Sequence, residues 1–370
     1  MDHDMRTIET KIEILPSEIQ VHMAELQTKT EDRTALLQFE HGTIITIFDG
    51  HYNSLLSDFA SKTLPVLLSQ RLCDSEDIDV SAVMRDTIVE FDRSLLAEVT
   101  RLFEPGEDFS NPRWLDRANE IHPVIGGYTR EEPQFKAGRR AVSGTTALIV
   151  YIEKGEKHLW VASLGDSDAV LGWCADGKWT SCLLSERHNC SNPKEVERLF
   201  REHPNEQGLA VSGRVCGALA VTRALGDHSM KATHFMASRI LAYFYPSPIP
   251  PLIFEKWERD GLRTPPYLSS SPVIHRHTIS PGDVLVLASD GLRDSFEAPD
   301  EDKLDVIVAL ATGGGHAKLM HSCIPAQDND NVAERVIQNI LFGTDSEKKA
   351  KQLDRACQRD DISVVVLKFA

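Results

Sequence analysis

Short apolar runs bounded by Gly, Asp or Pro recur along the chain and predict β-strands. They are rich in Val and Ile, the residues that favour a pleated and buried backbone. The clearest runs cover residues 43–48, 145–152, 158–164, 169–173, 284–288 and 362–369, with a further candidate at 33–38. Five residues separate the second run from the third, so these two are expected to form a hairpin.

Helical periodicity lies between the strand runs, at 54–69, 83–99, 193–202 and 331–341. In the last segment Val332, Val336 and Ile340 recur at every fourth position and would form one apolar face. Strands that pair locally, with helices grouped between them, predict an α+β sandwich rather than alternating βαβ units.

The length of 370 residues fits one large sandwich domain that carries insertions. We expect an N-terminal extension at 1–24 and a single domain at 25–370. Two irregular stretches predict insertions, near 103–140 and near 228–272. Long irregular loops are often functional, although simple surface decoration would explain these two equally well.

The chain has 40 basic and 56 acidic residues, a net charge of −16, which argues against nucleic acid as a partner. Its most apolar stretch, 241–254, contains four prolines and predicts no membrane insertion. Seven cysteines without a Cys-x-x-Cys pair predict reduced thiols in an intracellular protein. The acidic N-terminus resembles neither a signal nor a transit peptide, which favours the cytoplasm.

Carboxylates recur at the ends of the predicted strands. They are Glu31 and Asp32 before one strand, Asp49, Asp166 and Asp290 after three others, and Asp360 and Asp361 before the last. A single Asp-Gly pair after a strand is usually only a turn. If the strand ends meet, however, the like charges would raise one another's pKa and a bound hard cation would relieve them. Oxygen ligands favour Mg²⁺ or Mn²⁺, and two such ions sharing a carboxylate suit phosphate-ester hydrolysis.

Together these segments resemble the PP2C-type (PPM) metal-dependent protein phosphatases, and the resemblance runs from Glu31 to Phe369. The matching segments, in order, are 31–33, 48–51, 143–147, 164–167, 184–188, 217–227, 287–292 and 359–364. Within the family the chain looks most similar to the pyruvate dehydrogenase phosphatase branch, on residues 31–33, 185–204 and 264–268.

The resemblance implies a four-layer αββα sandwich of two antiparallel β-sheets flanked by helices. It also implies a serine/threonine phosphatase that acts on a phosphoprotein and binds two Mg²⁺ or Mn²⁺ ions, with a third, weaker ion. The implied roles are Asp49 as the bridging ligand, Glu31 and the Gly50 carbonyl at one ion, Asp290 and Asp360 at the other, and Asp166 and Asp294 at the third. Asp32 would orient the attacking water, and His51 would be the general acid.

Four positions depart from the family pattern. Gln27 stands where many members have a phosphate-binding arginine, and Tyr52 where a small residue follows Asp-Gly-His. Asp168 replaces an arginine and Arg293 a tryptophan near the third ion. Because an amide lacks the charge and the bidentate fork of a guanidinium, Gln27 predicts weaker phosphate binding.

Two alternatives therefore stay open beside the phosphatase: a catalytically weak or inactive pseudophosphatase that binds a partner, and a metallohydrolase of small phosphate esters. A monomer is expected in each case. The branch resemblance favours mitochondria, against the acidic N-terminus.

Overall fold

Two antiparallel β-sheets form the centre of the molecule in the computed structural model. It describes residues 8–15, 19–74, 79–103, 132–155, 158–244, 257, 259–296, 298–319, 321–354 and 359–370. The six-stranded sheet has the order β1 (Glu9–Ile14), β2 (Gln20–Leu26), β16 (Ile362–Lys368), β15 (Val284–Ala288), β9 (Asp168–Ala175), β10 (Lys178–Leu183). The five-stranded sheet has the order β14 (Val273–Thr278), β8 (His158–Leu164), β7 (Ala147–Glu153), β4 (Gly42–Phe48), β3 (Arg33–Phe39).

Helices cover the outer face of each sheet. The helices α1 (Leu55–Cys73) and α2 (Val80–Thr100) lie on the five-stranded sheet, and α7 (Asp300–Ala311) and α8 (Val332–Leu341) lie on the six-stranded one. The remaining helices of the described residues are α3 (Pro133–Val142), α4 (Pro193–Glu202), α5 (His228–Lys231), α6 (Asp290–Asp294) and α9 (Ser346–Asp354). A π-helical turn (Met236–Ile240) and a 3₁₀ turn (Leu241–Phe244) follow α5. The predicted α+β sandwich of four layers is confirmed.

Strand β4 shows why the apolar runs are continuous rather than alternating. Ile45 and Ile47 point into the core between the two sheets, where they join Leu285. Ile44 and Phe48 point to the other side and pack under the helices. A half-exposed strand would carry a polar residue at every second position. Because both faces of β4 are buried, this alternation is absent from its sequence.

Three short strands form a small sheet beside the main ones, in the order β13 (Leu225–Gly226), β6 (Gly144–Thr145), β5 (Gly50–His51). The predicted strand 145–152 is therefore two strands, which break at Thr146. There the amide of Thr146 donates 2.8 Å to the Asp49 carbonyl and ties the strand end to the acidic loop. A further small pair joins β11 (Ala210–Val211) to β12 (Arg214–Val215).

The predicted boundary between residues 24 and 25 falls inside β2. That strand pairs with β16 along its whole length, and β1 pairs with β2. The described residues before 25 thus belong to the six-stranded sheet rather than standing outside it. Of the two predicted insertions, 104–131 and most of 245–258 lie outside the described residues, whereas 133–140 begin α3 and 228–244 carry α5 and the two turns.

The described cysteines, at 73, 174, 182, 190, 216 and 323, are all free thiols. Within the described ranges, no helix has both the length and the apolar character that crossing a bilayer requires.

Candidate active site

The acidic residues predicted to bind metal lie at strand ends of both main sheets. Asp49 follows β4 of the five-stranded sheet, and Asp290 follows β15 of the six-stranded sheet. Asp166 lies between β8 and β9, and so links the two sheets. The sandwich therefore brings together carboxylates that are far apart in the sequence.

Asp361 builds the loop that carries Glu31 and Asp32. Its Oδ1 accepts the backbone amides of Thr28 (2.5 Å) and Lys29 (2.7 Å), and its Oδ2 accepts those of Glu31 (2.6 Å) and Asp32 (3.1 Å). Although burial opposes ionisation, these amides hold the pKa of Asp361 below its usual value. This role of Asp361 was not predicted from the sequence, where its position next to Asp360 is the one feature that pointed to the site.

The glycines after Asp49 and Asp290 are required by close packing, not by turn geometry. Neither Gly50 nor Gly291 has a left-handed φ. A Cβ on Gly50 would collide with the Glu31 carbonyl, and one on Gly291 would collide with the Asp361 carbonyl. Both Asp-Gly pairs therefore let a neighbouring backbone approach the acidic cluster.

The clustered carboxylates raise one another's pKa. Burial, followed by the charges of Asp32, Asp290, Asp166 and Asp360, raises the pKa of Asp49 well above its usual value. Burial and the charge of Asp166 raise the pKa of Asp290 to about 7. Burial and the charges of Asp361 and Asp290 likewise raise the pKa of Asp32, although bonds from two serines oppose this, and its buried Oδ2 has no hydrogen-bond partner among the described residues. Such a cluster is unfavourable unless protons or cations neutralise it.

Two other predicted ligands lie at the exposed margin of the cluster. Asp360 is 45% exposed and forms an ion pair with Lys29, at 3.1 Å. Asp294 is 67% exposed and lies 3.5 Å from Arg293. Burial raises the pKa of Glu31, and the Asp360 charge adds to this effect.

The donor atoms of this cluster fit a hard divalent cation, since its ligands are carboxylate oxygens. One of them, Asp32 Oδ2, is buried without a hydrogen-bond partner in the described part of the chain. Nevertheless, among the residues that the structure describes, no three His, Cys, Asp or Glu side chains stand as a ready-made metal-binding group. The ion pair between Lys29 and Asp360 gives one physical reason, because the Asp360 carboxylate is already bonded to the Lys29 ammonium group.

His51 is held by a buried aspartate. Its Nε2 lies 2.7 Å from Oδ2 of Asp227, whose side chain is fully buried. Burial alone would lower the pKa of His51, but the Asp227 charge and hydrogen bond raise it above its usual value. A raised pKa favours the protonated imidazole, the form that the predicted general acid requires. Asp227 ends the matching segment 217–227, but its contact with His51 was not predicted from the sequence.

Two of the four departures from the family pattern pair with each other. Nη1 of Arg293 donates to Oδ2 of Asp168 (3.2 Å) and to the Asp166 carbonyl (3.0 Å). Arg187 grips the same Asp168 with two bonds, of 2.7 and 2.8 Å. The inversion of charge at Asp168 is thus matched by the guanidinium at Arg293.

The other two departures have separate consequences. The Gln27 amide donates to Glu25 (2.8 Å) and to the Asp32 carbonyl (3.3 Å), so it supports the acidic loop. Tyr52 has a φ of +78° and is 41% exposed, so it adopts the backbone conformation that a glycine would favour.

Comparisons with known proteins agree with this fold. Residues 127–308 match the family model "Protein phosphatase 2C". The human pyruvate dehydrogenase phosphatase 1, described as mitochondrial, is 31% identical over 263 residues, covering 62% of this chain and 48% of the relative. A protein phosphatase 2C homolog of Schizosaccharomyces pombe is 33% identical over 250 residues, covering 62% of this chain and 53% of the relative. The chain thus spans about half the length of the curated relatives it matches.

Solved structures extend the likeness to nearly the whole chain. A phosphatase from a pathogenic strain of Toxoplasma gondii has a TM-score of 0.55 at 17% identity, over 98% of this chain and 94% of that one. A sex-determining protein of C. elegans also has a TM-score of 0.55, at 18% identity, over 95% of this chain and 65% of that one. At these identities the match concerns the fold alone. Residues 127–308 are thus similar to the protein phosphatase 2C family, and the chain as a whole shares the fold of these solved structures.

Proposed function

We propose that the chain is a divalent-metal-dependent protein serine/threonine phosphatase that hydrolyses phosphoserine and phosphothreonine side chains. One observation carries this proposal: burial and neighbouring carboxylate charges raise the pKa of Asp49, Asp32 and Asp290, and this cluster lies beside His51, which is bonded to the buried Asp227. This arrangement supports cation binding and proton donation at the same place.

We assign the cation ligands as the sequence predicted them. Asp49 would bridge two ions, Glu31 and the Gly50 carbonyl would hold one, and Asp290 and Asp360 the other. Asp166 and Asp294 would hold a third, weaker ion. When bound, Mg²⁺ or Mn²⁺ would neutralise the carboxylates, polarise the phosphoryl oxygens and lower the pKa of the attacking water.

The chain's own residues would supply the remaining steps. Asp32 would orient the water for attack in line with the leaving oxygen. His51 would give its proton to that oxygen as the phosphorus–oxygen bond breaks, since an alkoxide is a poor leaving group. Asp361 would keep Glu31 and Asp32 in place through the five backbone amides that it accepts, from residues 28 to 32.

Phosphate release from a phosphothreonine peptide tests this proposal, with Mn²⁺ added and then removed by a chelator. We expect Asp49→Asn to lose more than the ~10–100-fold that removing an outer-shell partner of a metal ligand costs. Asp176→Asn, an exposed aspartate in the β9–β10 turn, is the matched control and should keep full activity. Full activity of Asp49→Asn, or activity that survives the chelator, would contradict the proposal.

The compartment is a separate proposal. The word "mitochondrial" in the names of the pyruvate dehydrogenase phosphatase relatives supports a mitochondrial location for this chain. Imaging a fluorescent fusion of the full transcript beside a mitochondrial marker tests it, and a uniformly cytoplasmic signal would refute it.

A further inference from the structure

We propose that Asp227 is a positioning residue for His51, and that a buried ion pair between Asp92 and Lys231 keeps Asp227 in its place. This inference rests on the proposed function, because it concerns the proton that His51 gives to the leaving oxygen. The geometry that supports it involves neither a bound cation nor the acidic cluster itself.

The contact between the His51 and Asp227 side chains is short, and Asp227 is shielded from solvent. The His51 ring is 26% exposed, whereas the Asp227 carboxylate is completely buried. Asp227 Oδ1 has no hydrogen-bond partner among the described residues, whereas Oδ2 is bonded to His51. With Nε2–H donated to Asp227, Nδ1 is the ring nitrogen that remains free to deliver a proton.

Gly144 provides the space in which the pair meets. A Cβ at this position would collide with both His51 Nε2 and Asp227 Oδ2. The backbone of Gly144 also pairs with His51 on one side and with Gly226 on the other. A glycine is therefore needed here so that the two side chains can approach each other.

Helix α2 fixes the turn that carries Asp227. The amide of Gly226 donates 2.7 Å to Asp92 Oδ1, and Lys231 Nζ donates to both Asp92 oxygens, at 2.9 and 3.0 Å. The same Nζ donates 2.7 Å to the Ala224 carbonyl. These bonds bracket Asp227 on both sides.

Asp227 itself has a φ of +48°, in the left-handed region that aspartate adopts more readily than most residues other than glycine. The amide of Gly226 and Lys231 Nζ both bind Asp92, so this ion pair fixes the backbone on either side of Asp227 and keeps its carboxylate against His51.

The proton balance of the step is simple. Nδ1–H of the imidazolium goes to the leaving serine or threonine oxygen as its bond to phosphorus breaks. His51 is left neutral, with its remaining proton on Nε2 still donated to Asp227, and it regains the other proton from water. Misplacing His51 should therefore slow the hydrolysis of a phosphoserine or phosphothreonine, whose leaving oxygen needs this proton. It should slow much less the hydrolysis of an ester whose leaving group is an acidic phenol.

The experiment compares two substrates, a phosphothreonine peptide and 4-nitrophenyl phosphate, both with saturating Mn²⁺. For Asp227→Asn we expect kcat to fall about 10–100-fold on the peptide and no more than about threefold on the aryl ester. Asp176→Asn is the control, since Asp176 also has a left-handed φ, of +52°, but is exposed and far from His51 in the fold. Its ratio of the two rates should equal that of the wild type.

Gly144→Ala gives an independent second variant, and we expect it to shift the same ratio in the same direction. Equal losses on both substrates in the folded variants, or an unchanged ratio, would overturn the inference while leaving the phosphatase assignment intact. A wild-type protein that hydrolyses neither substrate would instead overturn the proposed function, and this inference with it.

Discussion

Replacing Asp168 by asparagine should destabilise the protein strongly, because the buried Arg293 and the half-buried Arg187 share this one carboxylate. Asp168 is 3% exposed, Arg293 10% and Arg187 19%. Removing one partner of a buried ion pair typically costs about 3–5 kcal/mol, since the remaining charge is left without compensation. We expect a loss of that size in the free energy of unfolding for Asp168→Asn.

Arg293→Met should cost less, about 1.5–3 kcal/mol, because Arg187 still binds Asp168 with two hydrogen bonds. In the double variant Arg187 loses Asp168 and is left with its 3.3 Å bond to the exposed Asp300. The two losses should therefore not add, and the coupling energy between the sites should be about 1–3 kcal/mol. Urea unfolding of the four proteins, followed by tryptophan fluorescence, measures it.

The matched control is the surface pair of Arg71 and Glu90, whose side chains are 41% and 55% exposed. Exposed pairs contribute at most about 1 kcal/mol, so the cycle of Arg71→Met and Glu90→Gln should give a much smaller coupling. If the coupling between Asp168 and Arg293 does not exceed that of the surface pair, the two departures from the family pattern are independent, and our account of them is wrong.

Three further predictions concern the acidic cluster. Folding raises the pKa of Asp290 from 3.8 to about 7, so its contribution to stability is present at low pH and is lost as the pH rises through about 7; thermal unfolding in a chelator should show this decline, and Mn²⁺ should reduce it. Asp361→Asn should lower the free energy of unfolding by about 1.5–3 kcal/mol, because backbone amides lose a charged acceptor, and urea midpoints would reveal a smaller effect if the loop were held otherwise. Gly50→Ala should weaken Mn²⁺ binding in calorimetry, since its Cβ would displace the Glu31 carbonyl, whereas Gly177→Ala, with open space around it, should leave the affinity unchanged.

The architecture could be predicted because local patterns carry it. Strands such as β4 are buried on both faces, so they appear in the sequence as continuous runs of Ile and Thr that end at an aspartate. Helix α4 was predicted with its observed bounds, since Asn192 caps it and Pro193 begins it. Strand β2 was missed as part of the sheet because its pairing with β16 joins the two ends of the described chain.

The positioning of the candidate site could not be predicted in the same way, because it depends on contacts between distant segments. The amide of Thr28 meets Asp361 across 333 positions, and His51 meets Asp227 across 176. No periodicity or spacing records such pairs. Asp168 and Arg293 illustrate the limit: each appeared as an isolated departure, and only their contact in the fold shows that one compensates the other.

This compensation bears on the choice between an enzyme and a binding protein that has kept only the fold. A protein freed from catalysis would gain stability by losing any member of the acidic cluster, since Asp49, Asp166 and Asp290 destabilise one another when ionised. All of them are present in the chain, and Asp168, which stands where the family pattern has an arginine, is paired with the guanidinium of Arg293. Both features preserve a set of carboxylates that is costly without cations, which favours a working metal-dependent phosphatase over the pseudophosphatase.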